Sequence, residues 1–267
     1  MEITFLGTGG GTNEERFKTC IFLPLNEKNN LILDVGGGTE IINQFAKAKI
    51  NPACVNHIFI SHTHFDHCLG LPAFLFYLVT EKKEEMPGKM GIYSNKRIIS
   101  DLKEVLRITG AGALKRWGDR LIWIDTGLEK PVRITRDCSL LAFPAKGGQE
   151  LKEQDLSCLI KLSRLQKSIL FTGDTTPNEY LEKYARGVDT LIHEAILTHK
   201  NVELAHRHGH STSQDAGKLA QQAGVKQLVL THIYRESIVK EKSLLEETMK
   251  YYSGPVQLAH DFETINI

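Results

Sequence analysis

At 267 residues, with 41% hydrophobic and 24% charged side chains, the chain is long enough for a full core and has ordinary globular composition. Thirty-three Lys and Arg against 32 Asp and Glu leave a formal net charge of +1, which excludes the strongly basic field of a dedicated nucleic-acid binder. No run of 18 apolar residues is present to span a membrane, and residues 1–6 (MEITFL) lack the features of a secretory leader, so the expected compartment is the cytoplasm.

EITFLGTGGGT alternates and runs into a glycine turn, the pattern of a first strand. CIFLPL and NLILDVGGGT read as two more, the second ending on Asp34. Residues 39–49 carry helical spacing with Thr39 as the N-cap. HIFISH is a short β-branched strand, and LGLPAFLFYLVTE (69–81) is a largely buried helix. EKKEEMPGK (81–89), polar and mixed in charge, is an exposed loop. MGIYS reads as a strand and 97–108 as a helix, followed by a Gly-rich stretch, ITGAGALKRWGD, before the strand RLIWIDT. RITRDCSLLAFPA and LSCLIKLS read as paired strands around KGGQELKEQD. In the last third SILFTGDT, helix 177–185, TLIHEAIL, helix 213–223, QLVLTHIY, helix 240–252 and VQLAHDFETINI alternate. Antiparallel strands early and β/α alternation late predict an α/β fold with helices covering sheets.

Four apolar strands finish on metal-capable side chains: His62, Asp174, the pair His193-Glu194, and His232. Ligands collect at the carboxyl ends of strands, so these ends are expected to converge. Ser61-His62-Thr63-His64-Phe65-Asp66-His67 packs imidazoles and a carboxylate into a strand-to-helix turn that fits neither a strand nor a helix period. A turn that aims them at cations resolves the conflict, and this nitrogen and oxygen set suits zinc, with manganese or iron as alternatives. Cys68 follows the cluster directly, but the imidazoles and carboxylates suffice as ligands, so it reads as a small buried residue. The five cysteines, odd in number and without a CxxC pair, read as reduced thiols. The glycine runs at 9–11 and 36–38 are not phosphate loops, because neither has the GxxxxGK[ST] form; they read as tight turns.

His62-x-His64-x-Asp66-His67 resembles the signature of the metallo-β-lactamase fold superfamily, and FLGTGG, LILDVGGG, SHTHFDHCLGLP, FTGDT, LIHEA, GHST and LVLTH follow the same order. These motifs are most similar to the ribonuclease Z-like branch. The resemblance implies one αββα four-layer sandwich domain over 1–267, with the metals at one edge. It implies that His62 and His64 serve one metal, Asp66, His67 and His232 the other, and that Asp174 bridges them. Two such cations share a hydroxide and polarise a phosphoryl or carbonyl oxygen, with Asp66 able to orient the hydroxide. It also implies that Glu194 and His210 form a hydrogen-bonded pair that protonates the leaving oxygen, a role in which the carboxylate sets the tautomer of the imidazole. Asp34 is expected to support the histidine cluster through hydrogen bonds.

One position departs from the family pattern. A further histidine on the first metal is expected after SLLAFPA, where this chain has Lys146-Gly147-Gly148-Gln149-Glu150, with no histidine between His67 and His193. The expectation is an intact second metal position beside a weakened or empty first, hence one or two ions per chain. Lys146 placing an ammonium there, Gln149 or Glu150 coordinating weakly, and a plain surface loop all stay open. His193 is expected to face away from Glu194, by strand alternation. His199, His206 and His208 read as loop residues bordering the cleft, His57 as a surface or packing residue, and His260 as structural support.

Three functions follow. The leading one is a metal-dependent phosphodiesterase without an evident tRNA-gripping arm, acting on a phosphodiester, a nucleotide or RNA. The second is an ester, thioester or lactone hydrolase of the same fold. The third is a degenerate metal-binding member without turnover. The family also implies a homodimer.

Overall fold

A computed structural model describes residues 1–146, 155–235 and 239–267. They fall into two compact units, one of Met1–Gly7, Phe17–Gly127 and Asp261–Asn266, the other of Thr8–Arg16, Leu128–His260 and Ile267.

The first unit is a seven-stranded mixed sheet with helices between its later strands. Strand β1 (Glu2–Gly7) pairs antiparallel with β2 (Cys20–Asn26), and β2 with β3 (Asn29–Leu33). Helix α1 (Glu40–Lys47) then leads to β4 (His57–Phe59), parallel to β3. Two consecutive helices, α2 (Phe65–Cys68) and α3 (Gly70–Thr80), lead to β5 (Met90–Ser94). Next come α4 (Lys96–Thr109), α5 (Ala111–Trp117) and β6 (Leu121–Asp125), so that β3 to β6 are all parallel. The sequence pattern places parallel strands only in the last third; here each helical segment is a crossover, which obliges parallel pairing.

Within this unit Phe45 of α1 stacks on Phe74 of α3 at 5.4 Å, and both are buried. The Gly-rich stretch 108–119, given no element in the sequence reading, contains α5. Trp117 is buried and donates its indole N–H to the Leu75 carbonyl at 3.1 Å. Burying an indole with its donor satisfied outweighs the ~1 kcal/mol that an internal glycine costs a helix. Thr39 occupies the N-cap of α1, but its side chain makes no capping bond.

The second unit has its own seven-stranded sheet. RITRDCSLLAFPA, read as one strand, is a hairpin: β7 (Pro131–Thr135) turns at residues 136–137 into β8 (Cys138–Pro144). β9 (Leu156–Leu162) and β10 (Lys167–Phe171) continue antiparallel. After α6 (Glu179–Tyr184) comes β11 (Thr190–Glu194), parallel to β10. Then follow α7 (Val202–Arg207), α8 (Ser213–Ala223), β12 (Gln227–Thr231), α9 (Glu241–Met249) and β13 (Val256–Leu258), the strands again parallel. Thr212 caps α8 in a reciprocal capping box with Asp215. The last run, VQLAHDFETINI, splits: β13 stays in this sheet, while β14 (Thr264–Asn266) pairs with β1.

Among the described residues no helix is long and apolar enough to cross a membrane.

Candidate metal centre

In the first unit, parallel β3 and β4 end side by side and deliver Asp34 and the Ser61–His67 turn. Asp34 bends out of β3 with φ +55°. Its carboxylate is fully buried and organises the turn. One oxygen accepts the Ser61 amide at 2.8 Å; the other accepts the Ser61 hydroxyl and the His67 Nδ1 proton, each at 2.7 Å. Since the Ser61 hydroxyl hydrogen goes to Asp34, its oxygen accepts from His62 Nδ1 at 3.0 Å. Both imidazoles therefore carry their protons on Nδ1, which leaves the Nε2 lone pairs for a cation. His62 Nε2 lies 2.9 Å from His64 Nδ1, and His67 Nε2 3.6 Å from an Asp66 oxygen. Such convergence of ligand-type atoms is the arrangement a shared cation requires. Asp34 plays the supporting part that the sequence suggests; Ser61, which relays it to His62, had no assigned role.

Cys68 is buried, as the sequence suggests. Burial raises its thiol to about 12, and the neutral S–H donates to the Thr63 carbonyl at 3.3 Å.

In the second unit the three parallel neighbours β10, β11 and β12 deliver Asp174, Glu194 and His232 from their carboxyl ends. Ligand-type atoms of Asp174, His210 and His232 lie within 4.8 Å of one another. His232 Nε2 is 3.2 Å from an Asp174 oxygen. The His232 backbone is left-handed at φ +56°, and Gly10 packs against its ring: a Cβ on Gly10 would lie 2.5 Å from the imidazole. That contact is invisible in the sequence, where Gly10 reads as part of a turn.

His210 Nδ1 donates to Glu194 at 3.1 Å and lies 3.7 Å from Asp174. Burial alone would lower this imidazole, but the Glu194 carboxylate, reinforced by Asp174, raises it to about 9. Glu194 also accepts the Thr175 amide at 2.5 Å, a contact with no flag in the sequence beyond adjacency to Asp174. His193 points to the opposite side of β11 and lines a cavity of about 130 Å³ with Asp215 and Lys218.

The remaining histidines lie apart from these clusters. His206 pairs with Asp215 at 2.9 Å and His260 with Glu241 at 3.1 Å. His199 and His208 flank α7, and His57 contacts Tyr93 and Asn29. Lys146 reaches Asp155 at 2.7 Å. Gln149 and Glu150, the other candidates for the missing ligand, lie outside the described residues.

Fold, donor set and full-length similarity to ribonuclease Z together define the class: a metal-dependent hydrolase of the metallo-β-lactamase fold, ribonuclease Z-like branch. More specifically, residues 1–247 match the family model described as Anti-Pycsar protein Apyc1, and the chain belongs to that family. It is similar to ribonuclease Z of Ligilactobacillus salivarius, 28% identical over 313 aligned positions that cover 100% of this chain and 97% of the relative. Among solved structures it resembles the metallo-β-lactamase fold protein YhfI of Bacillus subtilis, with TM-score 0.79, 16% identity and 99% and 98% of the two chains covered. It also resembles the short form of human tRNase Z, with TM-score 0.70, 23% identity and 100% and 99% covered.

Proposed function

We propose that the chain, acting as one domain over 1–267, hydrolyses a phosphodiester with His62, His64, Asp66, His67, Asp174 and His232 holding one or two divalent cations. Zinc suits the imidazole and carboxylate donors, with manganese or iron as alternatives. Bound there, the metal supplies hydroxide at neutral pH and draws charge from the phosphoryl oxygen.

The other steps belong to the chain's own side chains. Asp66 orients the attacking oxygen. His210 gives its Nε2 proton to the leaving oxygen, while Glu194 holds Nδ1 and stabilises the imidazolium. The observation that carries this reading is the Glu194–His210 hydrogen bond of 3.1 Å beside Asp174. An alkoxide leaving group needs a proton, so this pair favours phosphodiesters over activated esters.

A small phosphodiester or nucleotide is the favoured substrate. The alignment with ribonuclease Z is longer than this chain, so the relative carries inserted segments that have no counterpart here. RNA is the second reading, supported by the full-length similarity to that enzyme. The cytoplasm is the proposed compartment. A homodimer follows from the family resemblance, and the exposed apolar side chains of Phe65 in α2, Leu69 between the helices and Phe76 in α3 are candidates for its interface.

The test is a parallel assay of metal-loaded protein on bis(p-nitrophenyl) phosphate and p-nitrophenyl acetate, with metal per chain measured on the same sample. Turnover of the diester that is abolished by a chelator and restored by metal is expected. Metal binding without diester turnover supports the degenerate reading, and turnover of the ester alone supports an esterase.

A further inference from the structure

The Glu194–His210 pair has a neighbour that its role as proton donor does not use. Lys146 lies two residues beyond the end of β8, and its ammonium is held by Asp155 at 2.7 Å. Its side chain crosses the backbone of Gly209, the residue before His210. A Cβ on Gly209 would lie 2.8 Å from Lys146 Nζ and 2.9 Å from Cε, and Gly209 has φ +80°. Any other residue at 209 would push the ammonium away and would strain the turn as well. Lys146 and Asp155 are both part-exposed, so solutes reach them. The ammonium has three donors, of which Asp155 takes one.

We propose that Lys146 is a substrate-positioning residue whose ammonium binds a non-bridging oxygen of the substrate's phosphate beside His210. This rests on the phosphodiesterase reading above. The region supports it by its charge: Glu194, Asp174 and Asp155 are three carboxylates gathered around His210 and Lys146. A metal on Asp174 would offset part of that charge, and the Lys146 ammonium adds a charge-assisted donor for a non-bridging oxygen beside His210. Asp155 presets the position of the lysine, so less side-chain freedom is lost when the anion arrives. His210 and Lys146 then divide the work: one protonates the leaving oxygen, the other holds a charged oxygen that keeps its charge. No electrons or protons move through Lys146.

The test is calorimetric titration of metal-loaded protein with inorganic phosphate, comparing wild type with Lys146→Met and Lys146→Arg, alongside KM and kcat on bis(p-nitrophenyl) phosphate. The expected result is phosphate affinity and KM about tenfold worse in Lys146→Met, with kcat, metal content and melting temperature little changed, and most of the loss recovered in Lys146→Arg. Unchanged phosphate affinity in Lys146→Met would overturn the proposal, as would a loss of bound metal or folding that accounts for the defect. Phosphate binding that depends on Lys146 in a protein inert toward diesters would spare this site and sink the phosphodiesterase reading instead.

Discussion

Asp34 and His67 are joined by a 2.7 Å hydrogen bond between two side chains with no solvent exposure. Through Ser61 the same carboxylate also governs His62, so one residue outside the ligand set orients two members of it.

Asp34→Asn keeps the shape and tolerates the left-handed backbone, but it has one accepting oxygen where the carboxylate uses two, so either the Ser61 amide or the Ser61 hydroxyl and His67 Nδ1 lose their acceptor. Metal affinity is expected to fall about 10–100-fold, measured by competition with a chromogenic chelator. Unchanged affinity would show that the histidines orient themselves.

Gly10→Ala is expected to remove most bound metal and activity without unfolding the chain. The added methyl would contact the His232 ring at 2.5 Å, and the ring is the softer partner. Metal content, together with circular dichroism to verify the fold, checks this. A variant with full metal content would rule out Gly10 as the wall against which His232 rests.

His210→Asn and Glu194→Gln are expected to act in proportion to how much help the leaving group needs. On an alkyl phosphodiester such as a dinucleotide, kcat should drop by about 10²–10⁴. On bis(p-nitrophenyl) phosphate, whose nitrophenolate leaves unaided, the loss should be far smaller. Equal losses on both substrates would argue for a structural pair.

His57 provides a pH test away from the metal ligands. Burial disfavours its charged form and lowers it to about 4, while Tyr93 at 3.1 Å and Asn29 at 3.3 Å satisfy the neutral ring. The ordinary value is 6.5. Below that value the unfolded chain takes up a proton that the folded chain refuses, so this contribution is complete above about pH 6.5 and is lost as pH falls toward about 4. In His57→Gln the drop in melting temperature between about pH 7.5 and pH 4.5 should be smaller than in wild type. An identical drop would remove His57 as a source of acid sensitivity.

Much of this was readable from residues alone, for a definite reason. Apolar strands that run into His, Asp or Glu mark candidate ligands: β11 ends on Glu194, and His62, Asp174 and His232 follow within three residues of the ends of β4, β10 and β12. The alternation that sends His193 and Glu194 to opposite faces is equally local. What escaped depends on contacts between distant parts of the chain. Helix α5 forms because Trp117 finds Leu75, 42 residues earlier. Gly10 matters because of His232, and Arg16, which donates to Thr8 and to the Ala259 carbonyl, gives no sign of it in its surroundings. The splitting of the last twelve residues between two sheets likewise follows from pairing with β1, which no periodicity reveals.

Asp34 and His232 share one further property: each is a non-glycine residue with φ near +55°. For substitutions this sets backbone preference against side-chain contacts. The left-handed region costs most residues roughly 1 kcal/mol or more, and glycine almost nothing. In a library randomised at these two positions, selection for bound metal should return aspartate and histidine, and glycine at 34 gains little from folding alone, because it relaxes the backbone but leaves the Ser61 amide, the Ser61 hydroxyl and the His67 Nδ1 proton buried without their acceptor. The left-handed backbone at 34 and 232 is therefore held in place by what the side chains do, the buried hydrogen bonds of the carboxylate at one and the position of the imidazole beside Asp174 at the other.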